Sequence, residues 1–190
     1  RRQRQMCIRD RDPPPRVAAI EPMTADIVSL TLDVVEPETI EFKSGQYVDL
    51  YIPGTEEKRS FSIATTPATP DRLEFLIKKY PGGLFAGMLT DGLSVGDEIK
   101  VNGPYGSCTL RSGHVLPIVA IGGGAGMAPL LSLLRHISET GLHRPVRFYY
   151  GARRASDLFY LDEIATLGEK IEDFTSVSYT HLTLPTTPYV

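Results

Sequence analysis

The stretch "LPIVAIGGGAGMAPLLSLLRHI", residues 116–137, constrains this chain more than any other. An apolar run, four glycines within five residues and an amphipathic run follow one another without a break. "PIVAI" reads as a short strand of the kind buried in parallel sheets, and the residues after the glycines put Leu130, Leu131, Leu134 and Ile137 on one helical face. Glycine lets the backbone approach a ligand closely, and a helix start offers free N–H groups and a positive dipole end. Pro129 suits the first helical turn, where its missing N–H costs nothing. Such a turn is a natural diphosphate site. The spacing departs from the dinucleotide fingerprint, however. Counting from Gly122 and Gly124 the third position falls on Met127, and from Gly124 and Gly126 it falls on Pro129. The next strand ends in "YYGARR" instead of an acidic residue, so the glycines alone leave a tight turn without a ligand open as an alternative.

The chain on either side sets the fold class. After Gly113, "PVRFYYGA" reads as a second strand and "DLFYLDEIATLGEK" as a second helix, with Leu158, Leu161 and Ile164 on its apolar side. Strand, helix, strand, helix implies a parallel unit. Before Gly113 the pattern is different. "IVSLTLDV", "QYVDLYI", "RSFSIAT", "RLEFLIKK" and "DEIKVNGPYG" are short strand-like runs separated by turn-rich links. One helical interval, "GGLFAGMLTDGL", interrupts them, with Leu84, Met88 and Leu89 sharing a face. "DPPPR" reads as a stiff polyproline lead-in. The expectation is a β plus α/β chain: an antiparallel six-stranded barrel over residues 12–113, then a truncated parallel-sheet nucleotide-binding unit over residues 114–176.

Composition narrows the function. With 42% hydrophobic residues in a 190-residue chain, the core can be substantial. A net charge of −3 offers no general attraction to nucleic acid. No apolar run is long enough to span a bilayer and no signal-peptide core is present, so a cytoplasmic location without a membrane partner is expected. Cys7 and Cys108 are the two cysteines, which argues against a disulfide framework and against a metal or iron–sulfur site built from this chain. The ends read differently from the rest. "RRQRQMCIRDR" (residues 1–11) and "VSYTHLTLPTTPYV" (residues 177–190) both resemble translated sequencing-library adapter and are expected to pack on nothing. Residues 1–11 carry a net +4 out of a chain total of −3, so the remainder carries −7. On this reading the chain is a piece of a longer gene.

Several motifs in order give a family resemblance. "GQYVDL", "RSFSIAT", "LIKKYPGG", "VGDEIKVNGPYG", "IGGGAGMAPLLSLLRHI" and "FYYGARRASDLFYLDEI" together resemble the ferredoxin–NADP⁺ reductase superfamily. The chain is most similar there to the reductase components of multicomponent bacterial diiron monooxygenases. The resemblance implies an FAD-dependent oxidoreductase that takes hydride from NADH, with NADPH as the alternative. Electrons would then pass singly to an oxygenase or hydroxylase component, or to a ferredoxin-like domain.

The resemblance also implies site residues. Arg59 falls where an arginine binds the FAD diphosphate, Phe61 where an aromatic packs on the flavin, and Ser62 where a serine meets flavin N5 as the residue nearest the chemistry. Ile77, Lys78, Tyr80, Gly82, Gly83 and Leu84 fall along the second FAD contact, where Ala86 replaces a hydroxyl residue common in relatives. Gly122, Gly123, Gly124, Ala125, Gly126 and Met127 would face the nicotinamide cofactor's diphosphate, with Gly151 and Arg153 near the adenosine ribose. Two arginines in "GARR" suit a 2′-phosphate and hence NADPH, whereas the resemblance favours NADH. His114, His136 and His143 share no ligand spacing, Asp157, Asp162 and Glu163 read as helix-capping or solvated residues, and Cys108 as a packed strand residue. Alternative readings are a free-standing flavin or ferric reductase and a non-catalytic electron-transfer subunit. The family's later cysteine-containing segment does not follow, so slow reduction by NADH is expected of this chain.

Overall fold

The computed structural model describes residues 13–35, 40–111 and 113–180, so residues 1–11 and 181–190 of the two unusual ends lie outside it. In the first half, β1 (Arg16–Pro22), β2 (Ile27–Asp33) and β5 (Arg72–Lys78) form one antiparallel sheet in the order β1-β2-β5. A second antiparallel sheet has the order β4-β3-β6, from β3 (Tyr47–Tyr51), β4 (Lys58–Ser62) and β6 (Val101–Tyr105). The six strands expected of a barrel are therefore present, arranged as two sheets. Isolated bridges at Ile63–Phe75 and Arg16–Glu98 join them, in place of a continuous ladder. Bulges between Val17 and Ala19 and between Tyr47 and Asp49 bend the strands at these corners. Leu30, Leu32, Val48, Leu50, Ile63, Phe75 and Ile99 fill the space between the sheets and are fully buried.

The helical interval is one α-turn, α1 (Leu84–Gly87), running into a π-helical segment at Met88–Gly92. The expected face is corrected by one residue. Phe85, Met88 and Leu89 are buried, while Leu84 is 58% exposed. The phenyl ring has more apolar area to bury, and it packs against Phe61 with ring centroids 4.8 Å apart.

The second half is a parallel sheet of β7 (Ile118–Gly122), β8 (Val146–Ala152) and β9 (Phe174–Thr180), in that order. Two helices, α2 (Met127–Thr140) and α3 (Leu161–Lys170), bury Ala120, Phe148 and Tyr150 on one face. Two expectations are corrected here. The first is that "PIVAI" is buried on both sides: Val119 and Ile121 are 61% and 73% exposed, because the helices cover only the alternate face. The second is that the tail from residue 177 packs on nothing and the sheet ends at its second strand. β9 continues through Val177, Ser178, Tyr179 and Thr180, paired with Tyr149, Tyr150, Gly151 and Ala152. Its mostly exposed, polar side chains hide it from a hydrophobicity pattern, yet backbone pairing needs no apolar side chain. α3 also begins later than expected, so that Ile164 and Leu167 face the core and Leu161 is 44% exposed. Leu158 precedes the helix and still packs on that core.

The two halves interlock. Ile27, Ala64 and Leu76 of the antiparallel half sit in the core of the parallel half. Ser132 Oγ donates to the Thr65 carbonyl at 2.6 Å. Arg135, on α2, donates to both carboxylate oxygens of Glu163 (2.6 and 2.9 Å), to Glu74 at 2.7 Å and to the Ala64 carbonyl at 2.9 Å. Glu74 also accepts from the Tyr160 and Ser29 hydroxyls. Burial works against the Arg135 charge, but the bonds and charges of Glu163 and Glu74 outweigh it and hold the guanidinium protonated. Removing Arg135 would strand two carboxylates in poorly solvated surroundings. Arg135→Met is expected to cost about 3 kcal/mol. The check is a lower urea midpoint at unchanged slope, with part of the loss recovered by adding Glu74→Gln.

Candidate functional site

Strand β4 carries the first group of expected site residues. Phe61 stands opposite Val48 and Arg59 opposite Leu50, whereas Ser62 stands opposite Tyr47 on the other face. On that second face, Asp49 accepts from Lys58 Nζ at 2.7 Å and from Ser60 Oγ at 2.6 Å, which fastens β4 to β3. Burial would raise the Asp49 pKa, but these two bonds and the Lys58 charge bring it below its ordinary value. The Arg59 side chain is 54% exposed, donating to the Lys58 carbonyl at 2.8 Å and pairing with Glu57 at 3.4 Å. A pair this exposed is worth little, so the guanidinium is available to an anion.

β5 delivers the next group. Ile77 is buried in the core, which leaves only its backbone to meet a ligand. Lys78 Nζ lies 3.4 Å from Asp26 and 5.7 Å from the ring centroid of Tyr80, itself 64% exposed. Gly82 takes a positive φ of 71°, and Gly83 caps α1 with Leu84 as its first residue.

The glycine turn lies beyond β7. Gly123 is extended, Gly124–Gly126 makes one 3₁₀ turn, and α2 begins at Met127. The glycines are there for different reasons. A Cβ on Gly123 would fall 2.2 Å from the carbonyl oxygen of Gly151, a backbone atom that cannot step aside. Gly124 has a φ of +57°. A Cβ on Gly126 would meet nothing within 4 Å, so packing does not require glycine there. No side chain caps α2 and no acidic residue lies in its first turn. The positive end of an uncapped helix beside open space fits a phosphate. Ala125 packs against the core, and Met127 is fully buried, with its N–H directed to the carbonyls of Gly124 and Ala125.

At the end of β8, Gly151 abuts Gly123, and Arg153 reaches Asp26 at 3.2 Å and Asp157 at 3.8 Å. Ile27 Cδ1 is 3.6 Å from where a Gly124 Cβ would be. Asp26, in the link between β1 and β2, therefore touches Lys78 and Arg153, and Ile27, at the start of β2, touches the glycine turn. Arg59, Phe61 and Ser62 stand apart on β4, in the other sheet. Asp26, Glu74 and Arg135 are absent from the sequence-derived site. The available signal was a charge inside an otherwise apolar run, as with Arg135 after Leu134. Two expectations are corrected: Glu163 is committed to Arg135 and does not serve a solvated face, and Cys108 is exposed, in the loop beyond β6. Gly106, at φ +94°, turns the chain out of the sheet before that cysteine. Among the described residues, no group of three or more His, Cys, Asp or Glu side chains is placed to hold a metal, and no helix is long and apolar enough to cross a membrane.

Residues 15–110 match the model of the oxidoreductase FAD-binding domain. The chain belongs to this family. Residues 120–187 match the oxidoreductase NAD-binding domain, a span that takes in β9. The chain is 90% identical, over 84% of its length and 46% of the relative's, to the propane 2-monooxygenase reductase component of Gordonia sp. (strain TY-5). It is 34% identical, over 81% of its length and 46% of the relative's, to the ferredoxin–NAD(P)⁺ reductase component of the naphthalene 1,2-dioxygenase/salicylate 5-hydroxylase systems of Ralstonia sp.. Among solved structures, an Amycolatopsis cytochrome P450 reductase superposes with a TM-score of 0.80 at 33% identity, over 87% of this chain and 50% of that one. The chain spans about half the length of the curated relatives it matches.

The two kinds of glycine separate in one experiment. Gly123→Ala is expected to lower thermal stability clearly, by about 2 kcal/mol or more, because overpacking against backbone cannot relax. Gly126→Ala should melt within about 0.5 kcal/mol of the parent. Equal melting of the two variants would refute this division.

Proposed function

We propose that this chain is the FAD- and NADH-binding part of a reductase that passes electrons to an oxygenase component or to a ferredoxin-like iron–sulfur domain. The observation that carries the reading is the docking of an uncapped, glycine-flanked helix start against the end of β5, within a family fold that binds FAD. Kinship with reductase components named for monooxygenase and dioxygenase systems supports the electron acceptor. The scarcity of cysteine supports a cytoplasmic setting.

In this proposal Arg59 binds the FAD diphosphate, Phe61 packs on the flavin, and Ser62 donates a hydrogen bond to it. The Ile77 backbone, Lys78, Tyr80, Gly82, Gly83 and Leu84 complete that contact. Gly122, Gly123, Gly124, Ala125, Gly126 and Met127, at the positive end of α2, receive the NADH diphosphate, and Gly151 and Arg153 bound its ribose. When bound, the flavin supplies acceptance of two electrons at once and their release one at a time. The protein contributes placement. Asp49 holds β4 through Lys58 and Ser60, and so fixes where Arg59 and Ser62 stand. Arg135 and Ser132 hold α2 against the segment that follows Ser62, and so fix where the glycine turn stands. No side chain is assigned the transfer of a proton.

Arg59→Ala removes a charge-assisted contact worth about 1.5–3 kcal/mol, on the order of tenfold to a hundredfold in FAD affinity. Titration of flavin fluorescence measures it. Unchanged affinity would remove Arg59 from the site.

A further inference from the structure

Arg153 and Arg154 at the end of β8 would suit a 2′-phosphate if their charge were uncommitted. For Arg153 it is not. Its guanidinium lies 3.2 Å from Asp26 Oδ2 and 3.8 Å from Asp157 Oδ2. The same Asp26 oxygen lies 3.4 Å from Lys78 Nζ, so one carboxylate serves two cations. Asp26 is itself built into the chain. The Thr24 hydroxyl donates to its other oxygen at 3.1 Å and accepts from its N–H at 3.3 Å, and its carbonyl accepts from the Lys79 N–H at 2.7 Å. Ile27, the next residue, lies beside Gly124 of the glycine turn. An acidic side chain supplied by the antiparallel half thus stands against Arg153 after the end of β8, and the residue that follows it lies beside the glycine turn.

A 2′-phosphate arriving at Arg153 would have to displace Asp26 and then sit between two carboxylates. A ribose 2′-hydroxyl is neutral and can donate to a carboxylate, the usual means of selecting the non-phosphorylated cofactor. We propose that Asp26 is a specificity-determining residue that selects NADH over NADPH, by occupying Arg153 and by accepting the ribose hydroxyl. The proposal rests on the reading that the end of β8 receives the adenosine ribose.

The test is calorimetric titration of the full chain with ADP-ribose and with 2′-phospho-ADP-ribose. The parent chain should prefer ADP-ribose. Asp26→Asn keeps the size of the side chain and should tighten the 2′-phospho probe about three- to fivefold, the range set by an exposed ion pair. ADP-ribose should bind no tighter to this variant. The gain should vanish in Asp26→Asn with Arg153→Gln, and Asp26→Glu should restore the parent preference. An unchanged ratio in Asp26→Asn, or a gain that survives loss of Arg153, overturns this proposal alone. A parent chain that binds neither probe overturns the dinucleotide site and the proposal with it.

Discussion

One buried guanidinium gives the two halves of this protein a common reference point. Arg135 grips Glu163 of α3, Glu74 of β5 and the carbonyl of Ala64, two residues beyond Ser62. Burying three charged groups is costly, and a well-packed apolar cluster could be more stable. What the ionic cluster supplies in return is direction. A fork of donors meets a carboxylate in few orientations, whereas apolar side chains can slide. The orientation of α2, and with it the height of the glycine turn above β5, follows from that fork. The strand carrying Arg59 and Ser62 and the turn carrying Gly126 are in this way held in one frame.

Much of this architecture is legible in the sequence because it is local. The alternation in "IVSLTLDV" and the face made by Leu131, Leu134 and Ile137 report which side chains meet a core, and the structure buries them. The glycine turn is legible as well, since few turns place four glycines between a strand and a helix. The interlock is not. Arg135 and Glu74 are 61 residues apart, and neither shows its partner in its own neighbourhood. β9 escapes for the opposite reason: its order comes from backbone pairing, and its side chains are those of a polar tail. Asp26 escapes because its meaning depends on Arg153, 127 residues away.

The glycine turn also shows how a single motif carries two kinds of constraint. Gly123 is required by the approach of Gly151, whether or not anything binds. Gly126 has no neighbour that would object to a methyl group. Motif matching treats the two alike. Only the second is informative about a ligand, and it lies at the uncapped start of α2, where the helix presents its positive end.

Tyr160 opens α3 in the left-handed region, with φ at 57°, a conformation that costs a non-glycine residue about 1 kcal/mol or more. Its hydroxyl is held by Glu74, a residue of the other half, and its ring lies under the Arg135 cation at 5.6 Å. The shape of the parallel half is thus partly stored in the antiparallel half, as are three of its core side chains, Ile27, Ala64 and Leu76. Family boundaries drawn near residues 110 and 120 mark where one recognisable pattern gives way to another. They are not a seam along which the molecule can be divided: a piece beginning at residue 114 would carry a strained helix start without the carboxylate that holds its hydroxyl and a core with three of its occupants missing.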